Sequence, residues 1–273
     1  MDRKQASGDA ASSSGYRLGG LDHGGTGMQD GALDNGDLEP AKSRKNVFSG
    51  ERLLQQPVLD LPPSFKPNAR NQADGIVFLD SLQAEAFPLC IFDPQYRGVL
   101  DRQKYGNEGK RQKDRAKLQQ MDDELIGGFI AKIDRALIPS GHLLLWLDKY
   151  HLCTGVSSWI GATEFETVDL IVWNKMRIGM GYRTRRTSEY CLVLQKKPLR
   201  AKGVWKAHDI PDVWNEKLPH RGGHAKPIGL QSRLIDCLTN PGDTVIDPAA
   251  GTFTVLEAAK ATDRNFLGCD LGG

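Results

Sequence analysis

From Gly75 onward, short apolar runs alternate with longer polar stretches, a pattern typical of an α/β domain with a buried sheet. Seven runs predict strands: Ile76 to Leu79, Leu89 to Phe92, Leu143 to Leu147, Val168 to Trp173, Tyr190 to Leu194, Thr244 to Ile246 and Phe266 to Cys269. We therefore expect an α/β fold with about seven strands in a mostly parallel sheet and helices on both faces.

The polar stretches between these runs carry helical spacing. Apolar residues recur every three or four positions between Asp122 and Leu137. Pro227 suits the first turn of a second helix, and a third is predicted from Val255 to Ala261. The second helix has one apolar face, formed by Leu230, Leu234 and Leu238. The fourth and fifth apolar runs, joined by a Gly- and Arg-rich stretch, are predicted to pair as a hairpin.

The first 70 residues differ from the rest of the chain in composition. Residues 1–50 contain ten of the thirty glycines and only Tyr16 and Phe48 as aromatic residues. Such a segment buries too little apolar surface to offset its ordering entropy. We expect residues 1–70 to be a disordered Gly-, Ser- and Asp-rich tail and linker, and residues 71–273 to form the folded domain.

Overall charge and cysteine content exclude few classes of function. The chain has 36 basic and 34 acidic residues, a net charge of +2, so a polyanion must be bound by a local patch. Its five cysteines lack CxxC or Cys/His spacing, which predicts reduced core residues and no metal site. No apolar run approaches the roughly 18 residues of a membrane span, and we expect a cytoplasmic protein without a membrane partner.

The first chemically informative segment follows the run that ends at Phe92. This run, Leu89 to Phe92, brings Asp93 to the carboxyl edge of the predicted sheet. Pro94, Gln95 and Tyr96 follow. A carboxylate and a backbone carbonyl can accept both hydrogens of an exocyclic amine and so favour the tetrahedral nitrogen that attacks. Asp93 and the Pro94 carbonyl fit these roles, and Tyr96 could stack on a base flipped from the duplex.

The second segment is the turn after the strand Thr244 to Asp247. It is rich in small residues and precedes a helix, so its backbone amides could approach a cofactor. Asp270 lies 23 residues after Asp247, a spacing that suits an acid on ribose hydroxyls. Taken alone, the turn is equally compatible with a purely structural βα connection.

Together the two segments resemble the motifs of amino-methylating DNA methyltransferases that use S-adenosyl-L-methionine. Those motifs are usually Asp-Pro-Pro-Tyr and Asp-Pro-Phe-x-Gly-x-Gly-Thr, and their order here is similar to that of the circularly permuted β group. The resemblance covers roughly Gly75 to the C-terminus. Further matching segments are Trp173-Asn174-Lys175, Glu189, Asp212-Val213-Trp214, His224 to Pro227, Pro241 to Asp243 and Arg264 to Phe266. The resemblance implies a Rossmann-like methyltransferase fold.

The resemblance also implies residue roles. The catalytic site would be formed by Asp93, Pro94, Gln95 and Tyr96. The cofactor pocket would be lined by Asp247, Pro248, Ala249, Gly251 and Asp270, with Lys226 and Pro227 covering it from the helix side. In this family Asp at the first catalytic position generally accompanies N6-adenine methylation and Ser accompanies N4-cytosine methylation, so Asp93 favours adenine.

Three departures from the family pattern stand out. Gln95 replaces the second proline, which should loosen the turn but keep both amine acceptors. Ala249 replaces the usual Phe and Phe253 the second Gly, as though an aromatic wall had moved along the loop. The sequence ends at Gly273, where the family usually continues into a helix, so we expect either a truncated sequence or an open flank.

DNA contacts are predicted in two basic stretches and one short insert. Residues 97–117 hold eight Lys or Arg against three acidic residues and suggest a mobile basic loop over 97–120, although such a run can simply be a solvated face. Predicted contacts are Arg97, Arg102, Lys104, Lys110 and Arg111, with Arg183, Arg185 and Arg186 from the hairpin tip. Residues 195–223 are the expected target-recognition insert, whose small size favours a short or relaxed recognition sequence.

The sequence thus predicts a DNA methyltransferase that transfers a methyl group to the N6 amine of a flipped adenine in double-stranded DNA. The alternatives are N4-cytosine methylation and a catalytically inactive DNA-binding relative. A cognate restriction enzyme is a candidate partner, and the sequence leaves the oligomeric state open.

Overall fold

The computed structural model describes residues 62–96, 120–179, 184–218 and 225–272. In these ranges eight strands form one sheet in the order β1-β8-β7-β2-β3-β5-β4-β6. The strands are β1 Asn71–Gln72, β2 Phe87–Phe92, β3 Leu137–Leu147, β4 Phe165–Asn174, β5 Ser188–Lys196, β6 Val213–Asn215, β7 Thr244–Asp247 and β8 Asn265–Asp270. The helices are α1 Gly75–Ser81, α2 Asp123–Ala136, α3 Lys149–Thr154, α4 Ser157–Ile160, α5 Ile228–Leu238 and α6 Thr254–Ala261.

The sheet is mostly parallel, as the sequence predicts. Strand β5 pairs antiparallel with both β3 and β4, and the remaining neighbours pair in parallel. The predicted hairpin is therefore present as β4 and β5. Because β2, β7 and β8 run in the same direction, their carboxyl ends meet at one edge of the sheet.

Helices cover both faces of the sheet. The six residues of β2 are all buried, and their side chains divide between two core clusters. Phe92 packs with α2 residues on one face, whereas Leu89 and Ile91 pack with α5 and α6 residues on the other. The side chains of β3 also alternate between the two clusters. The expected layered α/β architecture is confirmed.

Local chemistry explains where the two main helices begin. The Asp122 carboxylate accepts a 2.8 Å hydrogen bond from the Leu125 amide and caps α2. The Glu216 carboxylate accepts 3.0 Å bonds from the amides of Gly229 and Leu230 in the first turn of α5, where negative charge is favourable. No helix in the described ranges is both long and apolar enough to cross a membrane.

One predicted strand is wrong. The run Ile76 to Leu79 lies within α1, not in the sheet. Asp74 caps this helix, since its Oδ1 accepts hydrogen bonds from the amides of Ile76 and Val77 at 2.8 and 3.2 Å. A short apolar run fits a helix or a strand equally well, and the capping aspartate decides for the helix. Two short strands, β1 and β6, have no apolar run to predict them.

The end of the predicted linker contacts the domain. Phe65 is buried in the first core cluster. The Asn68 amide donates to the Phe266 carbonyl at 2.8 Å, and its side-chain Oδ1 accepts from the Phe266 amide at 2.9 Å. Residues 1–61 lie outside the described residues, so the disordered tail stays a prediction.

Four of the five cysteines are buried and Cys153 is exposed, and all five are free thiols. The expectation of reduced cysteines agrees with this, but Cys153 is not a core residue. Burial raises the pKa of Cys191 to about 12, which keeps this thiol protonated and unreactive near neutral pH.

A buried histidine should make stability sensitive to acid. His142 on β3 is 3% exposed, its Nδ1 has no hydrogen-bond partner among the described residues, and burial lowers its pKa from 6.5 to about 3. Between these values the unfolded chain binds a proton that the folded protein does not, so the free energy of unfolding should fall as the pH falls.

Replacing His142 by Gln should remove this contribution. In urea unfolding between pH 6 and pH 4, wild type should lose up to about 1.4 kcal/mol per pH unit more than His142→Gln. His208→Gln, at an exposed position, is the matched control and should keep the wild-type slope. Parallel slopes for wild type and His142→Gln would contradict the prediction.

Candidate active site

Two adjoining cavities open at the carboxyl edge of the sheet. The smaller has a volume of about 320 Å³ and the larger a volume of about 500 Å³. Asp93, Gln95 and Lys226 line both cavities. We call the smaller one the turn cavity, because the whole Asp93 to Tyr96 turn lines it, and the larger one the cofactor cavity. The two predicted motifs therefore lie at one place in the fold.

The turn from Asp93 to Tyr96 is fixed by backbone hydrogen bonds. The Tyr96 amide donates to the Pro94 carbonyl at 2.9 Å, and the Met121 amide donates to the Gln95 carbonyl at 2.8 Å. The second bond ties the turn to the chain just before α2. These two bonds compensate for the rigidity that a second proline would supply, so the turn is held in place although it carries Gln95.

A network of two lysines and two carboxylates surrounds Asp93. Lys226 Nζ lies 2.5 Å from Asp93 Oδ2 and 3.2 Å from Glu189 Oε2. Glu189 binds Lys175 through its other oxygen, Oε1. Lys226 is buried, so its charge is balanced by these carboxylates and not by solvent.

The lysines and carboxylates hold each other in the charged state. Burial by itself raises the pKa of Glu189, but the charges of Lys226 and Lys175 outweigh burial and lower this pKa to about 2. Burial lowers the pKa of Lys226, but Asp93 and Glu189 outweigh it and raise this pKa above its ordinary value. Both groups are therefore ionised at neutral pH.

Tyr96 packs against a buried histidine. Its ring centroid lies 4.5 Å from that of His151, with the two planes at 59°. His151 Nδ1 lies 3.0 Å from Asp148 Oδ1, and Asp148 also caps α3 through the Tyr150 amide at 3.0 Å. His151 is thus a packing residue that supports the aromatic wall of the turn cavity.

The far side of the turn cavity is basic. Lys149, Lys175, Arg185 and Arg186 line it. Arg185 Nε donates to the Gly179 carbonyl at 2.7 Å, and Arg186 lies 3.7 Å from Asp148 Oδ2. These contacts anchor both arginines to the β4–β5 hairpin and to α3. The predicted DNA contacts Arg97, Arg102, Lys104, Lys110, Arg111 and Arg183 lie outside the described residues.

The cofactor cavity is built from the turn after β7 and the end of β8. It is lined by five of the predicted cofactor residues, Asp247, Pro248, Ala249, Gly251 and Asp270, and also by Lys226. Asp270 Oδ2 accepts from the Gly251 amide at 3.0 Å, and Asp247 Oδ1 accepts from the Ala249 amide at 3.1 Å. Burial raises the pKa of Asp247 well above its ordinary value.

Two predicted features of this cavity differ from expectation. Pro227 is buried at the start of α5 but lines neither cavity; it sets the direction of the chain after Lys226. Phe253 does not supply an aromatic wall either. Its backbone adopts the left-handed conformation that favours glycine, with φ 59°, and its ring is fully buried in the second core cluster.

The start of α1 completes the cavity, although no residue of this segment was among the predicted cofactor residues. Ala73, Asp74, Gly75 and Ile76 all line the space. Gly75 permits the close approach of the cofactor turn, because a Cβ at this position would lie 2.3 Å from the Pro248 carbonyl oxygen. The Asp-Gly pair before an apolar run was the signal that could have indicated this element.

The cofactor cavity suits a nucleoside cofactor with polar ends. Its volume falls in the usual range for ligand sites, roughly 300–1,000 Å³. Phe129 and Trp146 supply apolar walls, and carboxylates stand at the ends of β7 and β8. Two buried atoms of the lining residues, Trp146 Nε1 and Gln231 Oε1, have no hydrogen-bond partner among the described residues. Buried polar atoms of this kind are usually satisfied by a ligand or by water.

The described part of the predicted recognition insert packs on the domain. Val204 is buried, Ala207 belongs to the second core cluster, and Trp205 packs against that cluster. Trp214 lies in β6 and donates from Nε1 to Glu216 at 2.8 Å. Whether the exposed residues of this segment read DNA stays a prediction.

Comparisons with known sequences agree with this arrangement. The model of the N6/N4 methyltransferase family, described as DNA methylase, matches residues 87–272. The chain is similar to Type II methyltransferase M.HhaII of Haemophilus parahaemolyticus, with 51% identity over 209 residues that cover 75% of this chain and 91% of the relative. A shorter similarity, 46% over 46 residues, links 17% of the chain to 16% of the DNA adenine methyltransferase YhdJ of Escherichia coli.

Solved structures show the same fold. The PvuII DNA methyltransferase, described as cytosine-N4-specific, has a TM-score of 0.57 and 14% identity, covering 76% of this chain and 83% of its own. The M1.HpyAVI complex with SAM has a TM-score of 0.50 and 19% identity, covering 73% and 90%. At these identities the likeness extends to the fold alone.

A methyl group at Gly75 should damage the cofactor cavity. The added Cβ would lie 2.3 Å from a backbone oxygen and 2.6 Å from the Phe129 ring, so α1 or the Pro248 turn must shift. We expect Gly75→Ala to weaken S-adenosylmethionine binding by about tenfold or more in calorimetric titration, and to destabilise the fold by about 1–3 kcal/mol.

Gly128→Ala is the matched control. Gly128 lies in α2, and a Cβ there meets nothing within 4 Å. This change should leave cofactor affinity unchanged and stabilise the helix by up to about 1 kcal/mol. Equal cofactor affinities for Gly75→Ala and Gly128→Ala would show that α1 does not shape the site.

Proposed function

Because this chain belongs to the N6/N4 family of DNA methylases, we propose that it methylates the N6 amine of adenine in double-stranded DNA. S-adenosylmethionine is the cofactor of this family. When bound, it supplies an electrophilic methyl group on a sulfonium sulfur. The residues of the chain must bind a flipped base, orient its amine and exclude water.

The position of Asp93 carries the proposal. Its carboxylate lies where the turn cavity and the cofactor cavity meet. An amine hydrogen-bonded to Asp93 from the turn cavity would point its lone pair toward the neighbouring cavity. Of all residues in the described ranges, only Asp93, Gln95 and Lys226 line both spaces, and Asp93 is the carboxylate among them.

Two groups of the turn would hold the amine. Asp93 accepts one amine hydrogen and the Pro94 carbonyl accepts the other, which draws the nitrogen lone pair out of conjugation with the ring. The Pro94 oxygen already accepts the Tyr96 amide, and a carbonyl has a second lone pair for this purpose. After transfer the nitrogen is cationic, so it loses its proton without a strong base.

Tyr96 would hold the base by stacking. The target atom is inaccessible inside a duplex, so the base must leave the stack before it reacts. Tyr96 lines the turn cavity and is supported from behind by His151. Stacking on an aromatic side chain compensates for part of the stacking lost in the duplex.

The basic side of the turn cavity supports DNA as the substrate. Lys149, Lys175, Arg185 and Arg186 line this cavity, and in this proposal they attract the phosphates that flank the flipped nucleotide. We further propose that residues 97–120 close on the DNA backbone and that residues 195–223 contribute to recognition. Contacts of this kind would make binding strongly dependent on salt.

Two features support adenine over cytosine. The catalytic turn begins with Asp93, the residue that generally accompanies N6-adenine methylation in this family, and the relative YhdJ is named a DNA adenine methyltransferase. The cytosine-specific neighbour shares only the fold. The name of M.HhaII as a Type II methyltransferase supports a further proposal, that the protein protects DNA from a cognate restriction enzyme.

Nucleoside analysis tests the reaction directly. Unmethylated DNA incubated with the protein and labelled S-adenosylmethionine should yield labelled N6-methyldeoxyadenosine after digestion. Labelled N4-methyldeoxycytidine would show instead that the target base is cytosine. Cofactor uptake without a labelled nucleoside would favour an inactive DNA-binding relative.

Replacing Asp93 by Ala should abolish the product. Loss of one preorganised hydrogen-bonding group at a reacting centre typically costs about 10²–10³-fold in rate, while the other walls of the cofactor cavity remain. We therefore expect S-adenosylmethionine affinity to change little in titration. Asp80→Ala removes an exposed carboxylate that lines neither cavity and should methylate at the wild-type rate. Methylation by Asp93→Ala at a wild-type rate would disprove the assigned turn.

A further inference from the structure

Asp93 belongs to an ion network that also contains Lys226, Glu189 and Lys175. We propose that Lys226 is a positioning residue for Asp93, and that Glu189 balances the charge of Lys226 so that Asp93 can still accept the amine. This inference rests on the proposed role of Asp93 in methylation. It assigns Lys226 to orientation of the catalytic carboxylate, beyond its place in the cofactor wall.

The contacts around Lys226 support a positioning role. Its Nζ lies 2.5 Å from Asp93 Oδ2 and 3.2 Å from Glu189 Oε2. Its side chain is 11% exposed, against 32% for Asp93. Lys226 therefore lies behind the carboxylate, on the protein side, and fixes one of its two oxygens by a charge-assisted hydrogen bond.

Two tryptophans form the floor of the network. Lys226 Nζ lies 5.3 Å from the centroid of the Trp146 ring, and Lys175 Nζ lies 5.3 Å from that of Trp173. The two indoles contact each other edge to face, with centroids 6.1 Å apart. Each ammonium thus lies over an aromatic ring that stabilises its charge and limits its movement.

The charges of the network balance. Asp93 and Glu189 contribute two negative charges, and Lys226 and Lys175 two positive charges. Without Glu189, the positive charge of Lys226 would act on Asp93 alone and weaken it as an acceptor. Without Lys226, the two carboxylates would face each other and Asp93 would gain a proton more readily. Loss of Glu189 should therefore make Asp93 harder to protonate, and loss of Lys226 should make it easier to protonate.

Other charged and titratable groups also face this region. Asp247 at the end of β7 interacts electrostatically with Asp93, Lys226 and Asp270, and Cys191 on β5 interacts with Lys226 and Asp93. The turn cavity adds Tyr96, Asp148, Lys149, Arg185, Arg186 and Tyr190. These groups are common to wild type and to the variants below, so differences between pH profiles report the change made in the network.

The test compares pH profiles of the methylation rate in single turnover, at saturating cofactor and DNA and at constant ionic strength. In Lys226→Met the acid limb, where the rate falls with falling pH, should move to higher pH by about one unit. The rate at neutral pH should fall about tenfold or more and should recover in part at higher pH. Lys226→Arg keeps the charge and should keep the acid limb near its wild-type position.

The sign of the Glu189 variant distinguishes charge balance from structural damage. Glu189→Gln should move the acid limb down or leave it in place, because Lys226 then acts on Asp93 without a counter-charge. The double variant Lys226→Met/Glu189→Gln restores neutrality, and its acid limb should lie between those of Lys226→Met and wild type. Lys132→Met, in an exposed pair outside both cavities, is the matched control and should keep the wild-type profile.

Three outcomes would overturn the proposal. An unmoved acid limb in Lys226→Met, with weaker cofactor binding, would reduce Lys226 to a wall of the cofactor cavity. An upward shift in Glu189→Gln would exclude charge balance, and this variant decides the matter even where Lys226→Met fails to fold. Equal loss of rate at every pH would indicate structural damage alone. Failure of the proposed function is separate, since it would appear as methylation by Asp93→Ala.

Discussion

The candidate active site depends on the parallel pairing of β2 with β7. Only two residue pairs define this register, Leu89 with Val245 and Cys90 with Ile246. Because the strands run in the same direction, the turns that follow them leave the sheet side by side. Asp93 and Asp247, which are 154 positions apart in the chain, thereby come close enough to interact electrostatically. The two cavities share a wall for the same reason.

This arrangement brings carboxyl groups together at the buried carboxyl ends of the central strands. Asp247 is 4% exposed, and burial raises its pKa well above the ordinary value. Its neighbour Cys90 is fully buried, and its pKa is raised for the same reason. An ionised carboxylate at the end of β2 would be costly in these surroundings without a counter-charge. Lys226, placed at the entry to α5, supplies that charge at 2.5 Å from Asp93.

Much of this could be predicted from the sequence, where the signal is local. Helix α2 follows from apolar spacing behind the capping residue Asp122, and the β4–β5 hairpin from two apolar runs around a polar turn. Helix α1 also has a local signal in its capping residue Asp74, but its place in the cofactor cavity depends on tertiary contacts. Its run Ile76 to Leu79 is compatible with either element, and the close approach of Gly75 to Pro248 involves a turn far along the chain. No local pattern can report such a contact.

Phe253 and Lys226 illustrate why motifs locate a site better than they assign its members. The family motif has a glycine at position 253, which fits the left-handed backbone that this chain adopts there, with φ 59°. This chain keeps the conformation and turns the larger side chain into the core, at the conformational cost that a non-glycine residue bears at positive φ. Lys226 is similar, since its motif predicts proximity to the cofactor. Its partners are Asp93, directly after β2, and Glu189 in β5, and only the fold brings the three together. The motif thus identifies the position, while the folded packing determines what the residue does there.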